Sequence, residues 1–150
     1  VVDATVILKW YLPEIYSDES RKLLDHFEIY TVDVAISQVA TALWKRLKTG
    51  EVKAHQGKRI VANLVRLPIH FVAASLLANN AIELSSYSTR TFNECLYFVL
   101  ALREQTKLVT ADFSWYTMMS TGKLKGHVGF VNRMELDLEP EQHQPPLFSL

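Results

Sequence analysis

The chain has 150 residues, 49% of them apolar and 21% charged, which suits one compact domain with a core and leaves no room for a second. Sixteen Lys plus Arg offset sixteen Asp plus Glu, so no global basic field draws in nucleic acid and any polyanion must be held locally. Cys95 is the single cysteine, which excludes an intrachain disulfide framework and makes an intracellular, cytoplasmic protein the expectation. The apolar runs are too short and too interrupted by charge to span a bilayer, and the opening residues do not read as a secretory signal.

Val1 and Val2 read as a short strand that runs into a helix from Ala4 to Trp10, ended by Pro13, with Asp3 at the junction. Ser17 is placed to cap a second helix with Asp18 and Glu19 in its first turn and Leu23, Leu24 and Phe27 on its inner face. A second strand covers 29–34. Ile36, Val39, Ala40, Leu43 and Leu47 then recur at helical spacing from Val34 to Lys48, and Gly50 is the stop. A further helix is expected from Glu51 to Leu67, on Ile60, Val61, Leu64 and Leu67, with Gly57 as a weak point and Pro68 as its end.

Ile69 to Val72 reads as a third strand, Ala73 to Leu84 as a small-residue helix, and Ser85 to Thr91 as a polar linker. The stretch from Cys95 to Leu102 is apolar all round, so it reads as a buried central helix. Lys107 to Thr110 is a strand, Phe113 to Met119 a helix, and His127 to Val131 a last strand. Strands alternating with helices predict an α/β protein, a three-layer α/β/α arrangement on a short parallel sheet. The domain is expected over 1–136, followed by an irregular tail over 137–150 that holds Pro140, Pro145 and Pro146.

In such a sheet, chemistry gathers at the carboxyl ends of the strands. Asp3 and Asp112 both stand there, each after a short β-branched run and before a helix. One reading makes both helix N-caps. The other makes them ligands of a hard cation, since Mg²⁺ or Mn²⁺ takes carboxylate oxygens and keeps waters for chemistry. Thr5 and Thr110 then orient those waters, or simply cap and pack. Glu94 is the candidate third acid, although Thr91 three residues earlier also forms a T-x-x-E capping box with it.

These residues carry a family resemblance. V-V-D-A-T-V-I-L-K-W-Y-L-P-E, S-Q-V-A-T-A-L-W-K-R, F-N-E-C-L-Y-F-V-L-A and L-V-T-A-D resemble the four motifs of PIN-domain proteins, and within them the VapC-type ribonuclease toxins of toxin-antitoxin pairs, over about Val1 to Val131. The resemblance implies catalytic positions at Asp3, Gln38, Glu94 and Asp112, with Asp3, Glu94 and Asp112 as metal ligands. Two positions depart from the pattern. Gln38 stands where the family has Glu, and Glu94 where it typically has Asp. Without the resemblance Gln38 reads as solvated surface; an amide oxygen can still ligate a cation, but it brings no charge. Weaker metal binding, or a shifted metal geometry, is therefore expected.

The implied protein is an Mg²⁺- or Mn²⁺-dependent endoribonuclease, a homodimer, held silent by a cognate antitoxin protein laid across an apolar groove. Lys9, Lys45, Arg46 and Arg90 are candidate holders of the RNA backbone, or else the wet faces of helices. One alternative is a PIN-fold protein of weakened or lost catalysis that binds RNA or antitoxin; another is a small regulatory α/β domain whose acids are only caps. The five His residues lack zinc spacing, Trp10, Trp44 and Trp115 suit core or interface, and no Gly-rich phosphate loop is present.

Overall fold

A computed structural model describes residues 1–133, so the expected tail over 137–150 lies outside the described residues. Helices α1 (Ala4–Tyr11) and α2 (Ser17–His26) precede strand β1 (Tyr30–Val32). Helices α3 (Val34–Thr49) and α4 (Ala54–Leu64) follow, then β2 (His70–Val72), α5 (Ala78–Ser86), α6 (Phe92–Arg103), β3 (Leu108–Thr110), α7 (Phe113–Met119) and β4 (Val128–Phe130). The strands are short and parallel. β1 pairs with β2, and β3 with β4.

Residues 1–3 thread between these two pairs and join them. Val2 N donates to Tyr30 O at 2.9 Å and Thr31 Oγ1 donates to Val2 O at 2.8 Å on one side. Val109 N donates to Val1 O at 2.8 Å on the other. The order across the layer is therefore β2, β1, residues 1–3, β3, β4, which puts Asp3 at the carboxyl edge between β1 and β3. Parallel neighbours need helical crossovers, which explains the α/β alternation in the sequence.

Helix α6 is the central pillar, packed on β1 and β3, with Cys95, Leu96, Tyr97, Phe98, Leu100 and Ala101 buried. Its apolar run from Cys95 to Leu102 is buried or half-buried, and its exposed residues, Phe92, Asn93 and Arg103, lie at its ends. Ala35, Val39 and Leu43 carry the buried stripe of α3. Gly50 ends that helix at φ 79°, in the left-handed region a C-terminal cap requires.

Several local expectations need correction. Ser17 is the first residue of α2, not its cap; Tyr16 holds the cap position at φ 69°, and Ser17 Oγ ties the Pro13 turn by donating to Leu12 O and accepting from Glu14 N. Phe27, expected inside, is 41% exposed because the helix has already ended at His26. The helix expected over 73–84 breaks into a 3-10 turn, Ala74–Leu76, and α5. Helix α4 is shorter than expected at both ends. Among the described residues, no helix is long and apolar enough to cross a membrane.

The two glycines of the α3–α4 region predict opposite effects of one substitution. A Cβ at Gly57 meets only Leu47 Cδ1 at 3.9 Å, so Gly57→Ala should stabilise by about 0.5–1 kcal/mol through lost unfolded-state freedom. Gly50→Ala has open space but a left-handed φ, and should cost about 1 kcal/mol. Urea midpoints moving in opposite directions check this.

Candidate active site

Asp3 is 3% exposed and is the most enclosed carboxylate of the described chain. As the N-cap of α1 its Oδ1 accepts from Thr5 N at 3.0 Å, Val6 N at 3.2 Å and Thr5 Oγ1 at 2.6 Å. Its Oδ2 accepts from Thr110 Oγ1 at 2.6 Å. Burial pushes its carboxyl above the usual carboxylate range, while the bonds from Thr110, Thr5 and Val6 pull the other way. Thr5 and Thr110 thus hold the carboxylate itself, one from its own helix and one from β3.

Thr110 also links Asp3 to Asp112. Asp112 N donates to Thr110 Oγ1 at 3.1 Å, and Ala111 N donates to Thr5 Oγ1 at 3.0 Å. Asp112 is exposed and caps α7 through Oδ1, which accepts from Trp115 N at 3.0 Å. Capping and a place at the strand ends therefore coexist in both acids: Oδ1 anchors the helix in each, and Oδ2 of Asp3 is held by Thr110.

Glu94 is in the capping box of α6. Its Oε2 accepts from Thr91 N at 2.7 Å and Thr91 Oγ1 at 2.9 Å, and its Oε1 lies 4.0 Å from an Arg90 guanidinium nitrogen. Gln38 is half-buried rather than the solvated residue its position suggested. Its Oε1 accepts from the Tyr97 hydroxyl at 2.5 Å, which joins α3 to α6.

Tyr97 and Asp33 stand near these residues, and the motifs did not single them out. The Tyr97 hydroxyl is held well above its ordinary pKa by burial and then by the negative charges of Asp3 and Asp33. Asp33 follows β1 directly and its Oδ1 accepts from Ala74 N at 3.0 Å, fastening the loops after β1 and β2 to each other. The signal was present, because Asp33 repeats the pattern of Asp3 and Asp112: an acid between a β-branched run and a helix. Tyr97 lies one turn after Glu94 on α6, so both share a helix face.

Asp3, Thr5, Thr110 and Asp112 are thus joined in one hydrogen-bond network, and Gln38 with Tyr97 sits against it. Glu94 is tied instead to Thr91. Among the described residues, no group of three His, Cys, Asp or Glu side chains is gathered closely enough to hold a metal ion unaided. The donor set nonetheless suits a hard, well-hydrated cation, which needs only one or two carboxylates and completes its shell with water and phosphate oxygen. Of the expected RNA-holding cations, Lys9 and Arg46 both pair with Glu14. Lys45 is exposed.

The chain is 29% identical over 117 residues to Ribonuclease VapC3 of Pyrobaculum aerophilum, an alignment covering 75% of this chain and 88% of that protein. The PIN domain family profile matches residues 1–118, a span that contains all of the strand ends and acids described above except β4. The parallel α/β layer with acids on its carboxyl edge and the extent of that match lead to one conclusion: the chain belongs to the PIN domain family.

Proposed function

We propose that this protein is a divalent-metal-dependent endoribonuclease and the toxin of a VapBC-type toxin-antitoxin pair. The observation that carries the reading is the buried Asp3 carboxylate, held by Thr5 and Thr110 and connected through Thr110 to Asp112. A desolvated carboxylate with no cationic side chain bonded to it among the described residues is poised for a cation. Asp3 and Asp112 would hold Mg²⁺ or Mn²⁺, with Glu94 Oε1 as a further donor. Such an ion supplies an activated water and offsets charge growing on the phosphate oxygens.

The chain's own residues do the positioning. Thr5 and Thr110 bond the two oxygens of Asp3 and so fix the plane of its carboxylate. Gln38 and Tyr97 close the inner wall, and the amide oxygen of Gln38 is spent on the phenol. A second reading, a PIN-fold protein of weakened catalysis, draws on that same bond, since a neutral, already occupied oxygen stands at an acidic family position.

The partners follow from the same reading. The cognate antitoxin is a protein segment with an apolar face, suited to the groove of about 520 Å³ between α3 and α4, where Leu43, Leu47 and Val61 form the floor and Trp44 stands 55% exposed. A homodimer in the cytoplasm completes the proposal.

Removal of metal is the direct test. Protein stripped with EDTA should not cut unpaired RNA, and Mn²⁺ should restore cleavage. Asp112→Asn should lower the restored rate by about 10²-fold, since it takes one ligand's charge from the ion. Cleavage indifferent to EDTA overturns the metal assignment; RNA binding without cleavage in Mn²⁺ selects the weakened reading.

A further inference from the structure

Helix α7 buries Trp115 and Met119, yet its first residue, Phe113, is left 55% exposed beside Asp112. A single exposed aromatic is ordinary. This one is braced. Its ring stands edge-on to Phe130, 5.4 Å between centroids at 75°, and is flanked by Tyr116 at 6.3 Å. Phe130 is itself 2% exposed and is gripped edge-on by Tyr16 at 5.3 Å, so the ring beneath Phe113 is fixed by the core.

The position of this cluster matters. Phe130 is the last residue of β4 and is in register with Thr110, the residue whose hydroxyl holds Asp3. The platform is therefore anchored on the same strand edge as the proposed metal ligands. Arg133 adds a cation at 5.7 Å over the Tyr116 ring, within the same cluster. A rigid ring face and a guanidinium at the end of a strand layer are the two elements that grip single-stranded RNA, whose bases stack on aromatics while cations follow the backbone.

We propose that the exposed face of Phe113, braced by Phe130 next to Asp112, is the stacking platform for one unpaired base of the RNA, with Arg133 holding a neighbouring phosphate. The inference rests on the nuclease reading and sharpens it: the substrate is unpaired at the cut, and the base is recognised by its flat surface more than by its edge. A stacked base adds affinity that does not depend on the net charge, which is formally zero.

The test uses the full chain in EDTA, so that nothing is cut, and follows a fluorescently labelled unpaired RNA oligonucleotide by anisotropy. Phe113→Leu keeps an apolar side chain against Phe130 but loses the flat face, and should weaken binding about tenfold or more. Phe113→Trp should bind at least as tightly as the native protein. An oligonucleotide carrying an abasic site at the stacked position should bind the native and Leu proteins alike. In Mn²⁺ the Leu variant should show a raised KM with kcat nearly unchanged, the pattern of lost uniform binding.

A native protein that cuts RNA while the Leu variant binds it equally well overturns the inference and leaves the nuclease reading standing. Unchanged RNA affinity with an altered oligomeric state in light scattering also overturns it, and assigns Phe113 to a protein contact. A native protein that neither binds nor cuts unpaired RNA overturns both.

Discussion

Asp3→Asn is expected to lower metal-dependent RNA cleavage by about 10³-fold while leaving the metal-free protein folded, since a ligand's charge is worth several kcal/mol in the transition state. The fold should survive because Asn is as good an N-cap as Asp, and its Oδ1 can keep the bonds from Thr5 and Val6. Its amide nitrogen then faces Thr110 Oγ1, which can turn to accept, passing its own proton toward Thr5 Oγ1 at 3.3 Å.

Stability should move the other way from activity. Burial raises the Asp3 carboxyl, so the folded chain binds that proton more readily than the unfolded chain does. The stabilising contribution is full below the ordinary carboxylate range and is lost as pH rises through the folded value. Above that folded value the metal-free native protein carries an unneutralised buried charge that Asp3→Asn removes. In EDTA the melting temperature of the variant should therefore gain on that of the native protein as pH rises through the folded value, at about 2–4 °C per kcal/mol for a domain of this size, and should fall less over that range. Cleavage by the variant within a few-fold of native overturns the role of Asp3; an unchanged pH dependence of melting overturns the account of its burial.

What could be read from the sequence was local. Asp3 and Asp112 announce themselves because a strand, an acid and a helix follow one another within a few residues, and the apolar run of α6 needs no partner to be recognised as buried. The Thr91–Glu94 box is equally local, and both of its reciprocal bonds form. Gln38 was opaque for the opposite reason. Its partner Tyr97 is 59 residues away, so nothing near it explains why an amide should leave water. The αL turn at Tyr16 likewise took Ser17 out of the cap, because the hydroxyl was claimed by Leu12 and Glu14 across the Pro13 turn. The joining of the two strand pairs through residues 1–3 is a tertiary event, and no short segment carries it. The site is thus half legible: its strand-end acids are, and the wall that closes it is not.

Gln38→Glu is expected to strengthen Mn²⁺ binding by about 10- to 100-fold and to raise the cleavage rate with it, because a unit charge a few ångströms from a cation is worth a few kcal/mol at the dielectric of a partly buried site. The geometry permits the change. A carboxylate oxygen can accept the Tyr97 hydroxyl as the amide oxygen does, leaving its second oxygen, in place of a nitrogen donor, for the cation or its water. The same substitution should weaken the metal-free protein by about 1–2 kcal/mol, since it sets a further negative charge near Asp3 and Asp33, whose fields already meet at Tyr97. The two effects have opposite signs and one cause. Calorimetric titration with Mn²⁺ and melting in EDTA measure them separately. Tighter binding with lower metal-free stability places position 38 at the cation and makes the native Gln a device that moderates the enzyme. Unchanged Mn²⁺ affinity removes residue 38 from the metal's surroundings and leaves it as a brace between α3 and α6.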